Sequence, residues 1–151
     1  MLPLYRRLAS LDQARRRLLV EAATLTTLVW AGLHVMPFLV LERWLDRLTA
    51  PPIGTWREPS GSRWIDEVNW AVTAVAKRFA PATCLVQALA ASVMLRRRGV
   101  DCELRIGVRN RPDAGPAPIE AHAWLECGGQ VAVGDIEYLP ELTVMARPGR
   151  R

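Results

Sequence analysis

Residues 121–135 read Ala121-His122-Ala123-Trp124-Leu125-Glu126-Cys127-Gly128-Gly129-Gln130-Val131-Ala132-Val133-Gly134-Asp135. Two strand-like runs flank a Gly-Gly pair, which is the composition of a two-residue hairpin. With Gly128 and Gly129 as the loop, Cys127 faces Gln130, and counting outward sets His122 opposite Asp135. Side chains opposed across an antiparallel pair share a face, with β-carbons roughly 4.5–5.5 Å apart. At that separation a carboxylate orients one imidazole nitrogen and leaves the other free as a base. A slip of one residue would send the two groups to opposite faces. Cys127 lies an odd number of steps from His122, so it points away; it and Cys102 are read as structural.

Working back from the hairpin, residues 109–120 hold three prolines and one glycine and read as a loop. Before it, Leu104, Ile106 and Val108 alternate as a strand does. Upstream again, Thr83-Cys84 opens an Ala- and Leu-rich run that ends before Gly99, a helix with glycine just past its end. Cys84 thus falls in a first turn, where unpaired N–H groups and the positive dipole end favour a thiolate. The same N–H groups suit the oxyanion of a tetrahedral intermediate. Cys84 as nucleophile, His122 as base and Asp135 as orienting carboxylate follow the logic of a cysteine hydrolase or acyltransferase. Cys84, Cys102, Cys127 and His122 could also be counted as four zinc ligands, but no close CxxC spacing supports a metal, and none is expected.

The N-terminal third reads differently. Ser10-Leu11-Asp12-Gln13 has capping-box spacing and predicts a helix over 11–35. Pro37 predicts a break, and a second helix over 38–48 carries Glu42, Arg43, Asp46 and Arg47 on its polar side. Residues 22–41 contain no Asp, Glu, Lys or Arg, which just reaches the length of a bilayer crossing. Thr24, Thr26, Thr27, His34 and Pro37 weigh toward a helical hairpin packed on the rest of the chain. Arginines flank both ends, so they set no orientation. His34 reads as a packed residue rather than a ligand.

Residues 50–62, with three prolines and two glycines, read as a connector. A third helix, 63–79, follows, with Trp64, Val68, Ala71, Val72, Val75 and Phe79 on one stripe and Pro81 ending it. Trp64 and Trp70 are candidates for lining a substrate cleft. The organisation is an N-terminal helical segment 1–49, a linker 50–62 and a core 63–151.

The chain has 151 residues, half of them apolar, enough to bury a core. Its net charge is +5, and all its basic residues but Lys77 are arginine. The arginines are scattered and match no nucleic-acid-binding motif, so nucleic acid is not an expected partner. Three cysteines is an odd count, which argues against a disulfide framework and for a reducing, cytoplasmic setting. Membrane association through residues 18–48 is the open addition to that location.

Cys84 with its Ala/Leu-rich helix, Leu95-Arg96-Arg97-Arg98-Gly99-Val100, the strand 104–108, Ala121-His122-Ala123-Trp124-Leu125-Glu126 and Asp135 together resemble the transglutaminase-like cysteine peptidases of lasso-peptide biosynthesis. The likeness covers about residues 63–138, and the apolar helical start is similar too. It implies an α+β, papain/transglutaminase-like fold preceded by an apolar helical pair. It also implies that Cys84, His122 and Asp135 form a triad that removes the leader from a ribosomally made precursor, without a cofactor. No leader-recognition domain is visible at the helical start, so a separate leader-recognition protein is expected beside the precursor leader peptide. A macrolactam cyclase and an ABC transporter are further candidate partners. A glutamine upstream of Cys84, which a papain-like oxyanion hole would use, is not evident; Arg78 and Gln87 are the nearby candidates. Two rivals stand beside this reading: an acyl transferase or amidase acting on another peptide, and a membrane-associated scaffold with an unused triad.

Overall fold

The computed structural model describes residues 12–49, 61–111 and 118–145. Its helices are α1 (Gln13–Val35), α2 (Phe38–Leu48), α3 (Gly61–Ala76) and α4 (Cys84–Arg96). Strands β1 (Cys102–Asn110), β2 (Ile119–Cys127), β3 (Gln130–Val133) and β4 (Thr143–Val144) form one antiparallel sheet in the order β3-β2-β1-β4. The fold is therefore α+β, with helices gathered on one side of the sheet.

Helix α1 begins two residues later than expected, at Gln13, with Asp12 flanking it and no side-chain cap. Ser10 of the capping box lies outside the described residues. Met36 is extended, at φ −137° and ψ 154°, and Pro37 opens α2, as the residue before a proline requires. Most of the connector, residues 50–60, lies outside the described residues, while Gly61 and Ser62 already belong to α3. The linker thus ends before its expected limit of 62. The expected loop 109–120 is also shorter: Arg109 pairs with Glu120 and Asn110 with Ile119, so both strands run into it. Residues 112–117 lie outside the described part.

The helices share one core. Leu18, Ala22 and Val29 of α1 pack with Val68, Ala71 and Val72 of α3 and with Val86, Leu89, Met94 and Leu95 of α4. Helix α4 is buried along most of its length, which explains its nearly uniform apolar sequence. Beneath it lie Leu104 of β1 and Ala123, Leu125 and Cys127 of β2. Helix α1 is the one described helix long and apolar enough to cross a membrane, with a mean hydropathy of 1.5. By length and composition alone, such a helix serves as a span, a signal sequence or a core helix.

Thr26, fully buried on the inner face of α1, holds the only buried side-chain polar atom without a hydrogen-bond partner among the described residues. An unpaired hydroxyl in an apolar site costs free energy that a methyl does not. Thr26→Val is therefore expected to raise stability by about 1 kcal/mol, read as a shifted urea midpoint at unchanged slope.

Cys102 and Cys127 stand directly opposite each other on β1 and β2 and form a disulfide, which leaves Cys84 as the free cysteine. This corrects the reading of the odd cysteine count as an argument against a disulfide and for a reducing compartment. The odd count concealed one cross-strand pair, because the partners are 25 residues apart and only the β1–β2 register aligns them.

Candidate active site

Cys84 is the first residue of α4. Thr83 is the N-cap: its Oγ1 accepts from the Val86 N–H at 3.5 Å. Gln87, one turn on, donates its amide to the Ala82 carbonyl at 2.7 Å and ties down the turn that leads into Cys84. Of the two candidates for a second oxyanion donor, Gln87 is thus engaged with Ala82, and Arg78 donates to Ala74 within its own segment. Cys84 itself is half-buried against the edge of the core.

Chain direction sets what lies beside it. Helix α4 turns tightly at 97–101 into β1, which runs back along it. Twelve helical steps from Cys84 to Arg96 span ~18 Å, and five strand steps from Cys102 to Gly107 span ~17 Å. Gly107 of β1 pairs with His122 of β2.

The hairpin turn is as expected, with Gly128 at φ 59° and Gly129 at φ 83°, both left-handed as a type I′ turn requires. Cys127 faces Gln130 and Glu126 faces Val131, in the expected register. The next pair is Leu125 with Val133, so β3 carries an extra residue, Ala132. Ala132 and Val133 both join the helical core, which the extra residue at the bulge allows. The expected opposition of His122 and Asp135 is thereby overturned: paired β3 ends at Val133, and Asp135 is exposed.

What His122 meets instead is the backbone carbonyl of Gly134, 2.7 Å from Nε2. A carbonyl oxygen only accepts, so Nε2 carries the hydrogen and Nδ1 keeps its lone pair. That is the tautomer a general base needs. The ring also stacks on Trp124, with centroids 6.4 Å apart and planes 11° from parallel. Gly134 was not singled out from the sequence. Its signal was a glycine closing the apolar run Val131-Ala132-Val133, at φ 87° in the structure.

Strand alternation sends Ala123, Leu125 and Cys127 into the helical core and His122, Trp124 and Glu126 to the other face. Residues 134–142 cross that face from β3 to β4; the ideal Cβ position of Gly107 lies 2.9 Å from Leu142 Cβ and 3.0 Å from the Trp124 ring. The structure thus brings His122 together with the segment that holds Asp135. It does not join Cys84 to His122: among the described residues no hydrogen bond links them, and none links Asp135 to the ring. No group of metal-ligating side chains is present among the described residues.

Farther along the same face, Glu120 accepts from Tyr138 Oη at 2.7 Å and from Arg109 Nε at 2.8 Å. These bonds hold the Glu120 carboxyl below the usual carboxylate range and, with burial, hold the Tyr138 phenol above its own. Burial works against the Arg109 charge, but its bonds to Glu120 and Glu141 outweigh that and keep its pKa raised. A carboxyl lowered on folding adds stability that is full above its unfolded pKa, about 4.3, and fades as pH falls through the folded value. Acidification from about pH 5 to 3 is therefore expected to cost the native protein more stability than Glu120→Gln, as measured by urea unfolding at each pH.

Of the two tryptophans considered for a substrate cleft, Trp64 lines a cavity of about 290 Å³ with Arg98 and Glu21. That cavity lies at the far end of α4 from Cys84. Trp70 is exposed beneath Arg15, 5.4 Å from its ring centroid.

The profile described as the transglutaminase-like superfamily matches residues 32–147, well over half of the chain. The chain belongs to the transglutaminase-like superfamily. The superfamily match begins inside α1 and takes in every element from α2 to β4. Members of the superfamily are in general enzymes of cysteine-protease and acyl-transfer type. No curated protein and no solved structure matches the chain.

Proposed function

We propose that the protein is a cysteine peptidase that removes the leader from a lasso-peptide precursor, acting with a separate leader-recognition protein. What supports the reading is the half-buried free Cys84 at the opening of α4 in a chain of the transglutaminase-like superfamily, together with a histidine whose Nε2 is held by the Gly134 carbonyl. In this mechanism the Cys84 sulfur attacks the carbonyl at the leader–core junction, and the Cys84 N–H faces the developing oxyanion. His122 takes the thiol proton at Nδ1 and gives it to the departing core amine. Water, deprotonated by the same ring, then releases the leader as a free acid. Asp135, one residue past the orienting carbonyl, supplies the negative charge that stabilises the imidazolium. In this mechanism the His122 ring, which strand alternation sends to the face away from the helical core, has to come round to the Cys84 side when the peptide binds.

The Cys102–Cys127 disulfide favours an oxidising setting over the reducing cytoplasm that the cysteine count suggested. The test is incubation of the chain with a precursor peptide and its leader-recognition protein, followed by mass measurement of the products. A leader ending in a free carboxylate supports peptidase action. A leader carrying an added amine instead assigns the acyl-transfer chemistry that the superfamily also includes. An intact precursor in the presence of both proteins overturns the proposal.

A further inference from the structure

Helices α1 and α2 leave an apolar surface that neither the core nor the candidate active site uses. Val35 of α1 is 81% exposed, and Trp44 and Leu48 of α2 are 54% and 71% exposed. On α2, Val40, Trp44 and Leu48 recur every four residues and form one stripe. Arg43 and Arg47 are exposed along the flank of that stripe. The opposite side of α2 is already occupied: Leu41 is buried, and Asp46 pairs with Arg96 of α4.

An apolar groove of about 340 Å³ lies between the two helices, walled by Leu25, Leu28, Leu45 and Leu48, with Arg97 among its lining residues. Arg97 and Arg98 both reach for the single carboxylate of Glu21, at 3.5 and 2.6 Å. One positive charge beside the groove is therefore unmatched within this trio.

We infer that the α1–α2 face docks on an anionic lipid surface, with the Val40–Trp44–Leu48 stripe entering the acyl boundary and Arg43, Arg47 and Arg97 meeting lipid phosphates. An amphipathic helix with a tryptophan in its apolar stripe and arginines beside it has the make-up of an interfacial helix. The charge complementarity is what selects lipid: an apolar protein partner would leave the flanking arginines without an acidic match. Helix α1 stays with the fold rather than spanning the bilayer, because Leu18, Ala22 and Val29 wall the core and Glu21 is bound to Arg98, just past α4. This assignment is independent of the peptidase reading.

The test is flotation of the full chain with phosphatidylcholine vesicles and with vesicles of seven parts phosphatidylcholine to three parts phosphatidylglycerol. Each arginine at an anionic surface adds roughly fivefold to partitioning. Capture by the anionic vesicles should exceed capture by the neutral ones about tenfold or more, and 0.5 M salt should weaken it, as screening requires (~3 Å Debye length at 1 M). Trp44→Glu with Leu48→Glu should abolish capture, and Arg43→Glu with Arg47→Glu should remove the anionic preference. Circular dichroism confirms that these exposed substitutions leave the fold intact. The inference is overturned by no capture on anionic vesicles, or by capture that neither pair of substitutions changes. A dimer that Trp44→Glu disperses, with no vesicle binding, assigns the face to a second copy and also overturns it.

Discussion

Cys84→Ala is expected to lower peptide cleavage by at least about 10⁴-fold, the scale on which removal of a nucleophile acts when the other groups remain. His122→Ala should come close to the same loss, and the double substitution should be little worse than either alone. Groups that act as one unit are not additive, because the second has nothing left to activate once the first is gone. Single-turnover product formation, weighed by mass, gives these numbers, and thermal unfolding separates them from loss of fold. Cys84 is half-buried at the core edge, so its truncation should cost little stability. A second readout needs no substrate. With Cys102 bonded to Cys127, one thiol is left for alkylation, so native protein should gain a single iodoacetamide adduct. That reaction should slow in His122→Ala. Cleavage undiminished in Cys84→Ala removes the sulfur from the mechanism.

Gly134→Ala is expected to be the most damaging small substitution in the sheet, at about 2–4 kcal/mol of stability. At φ 87° a side chain is strained before any contact is counted. The added Cβ would also sit 2.9 Å from the Ala123 carbonyl oxygen and 3.0 Å from Trp124 Cβ. One of those neighbours is β2 backbone, which cannot yield without moving His122 with it. Activity should fall further than stability alone explains, by on the order of 10²-fold, since misplacing a catalytic group by about 1 Å costs that much. The Nε2–H resonance of His122 distinguishes the two effects. It should be sharp and downfield in the native protein and lost in the variant, and an unchanged resonance would show that the carbonyl does not hold the ring.

The same residue shows where the sequence could be read and where it could not. Helix α2 falls at Phe38–Leu48 as the proline and its apolar spacing indicate, because helix limits are local matters of caps and breakers. The Gly-Gly turn, the α4 start at Cys84 and the helices-then-sheet order are likewise carried by short stretches of chain. Family membership agrees with the α+β class.

Other features depended on what each residue met across the fold. Ala132 and Val133 both face the core, and that demand inserts the bulge, breaks the expected register and gives His122 a carbonyl in place of a carboxylate. The Cys102–Cys127 bond required the β1–β2 register, which no count of cysteines contains. By itself the sequence determined most of the elements and their order, because propensity, capping and turn geometry act over a few neighbours. Tertiary structure decided the histidine's partner, the disulfide and the face of α1–α2 left open to solvent, because burial is settled only by residues far apart in the chain.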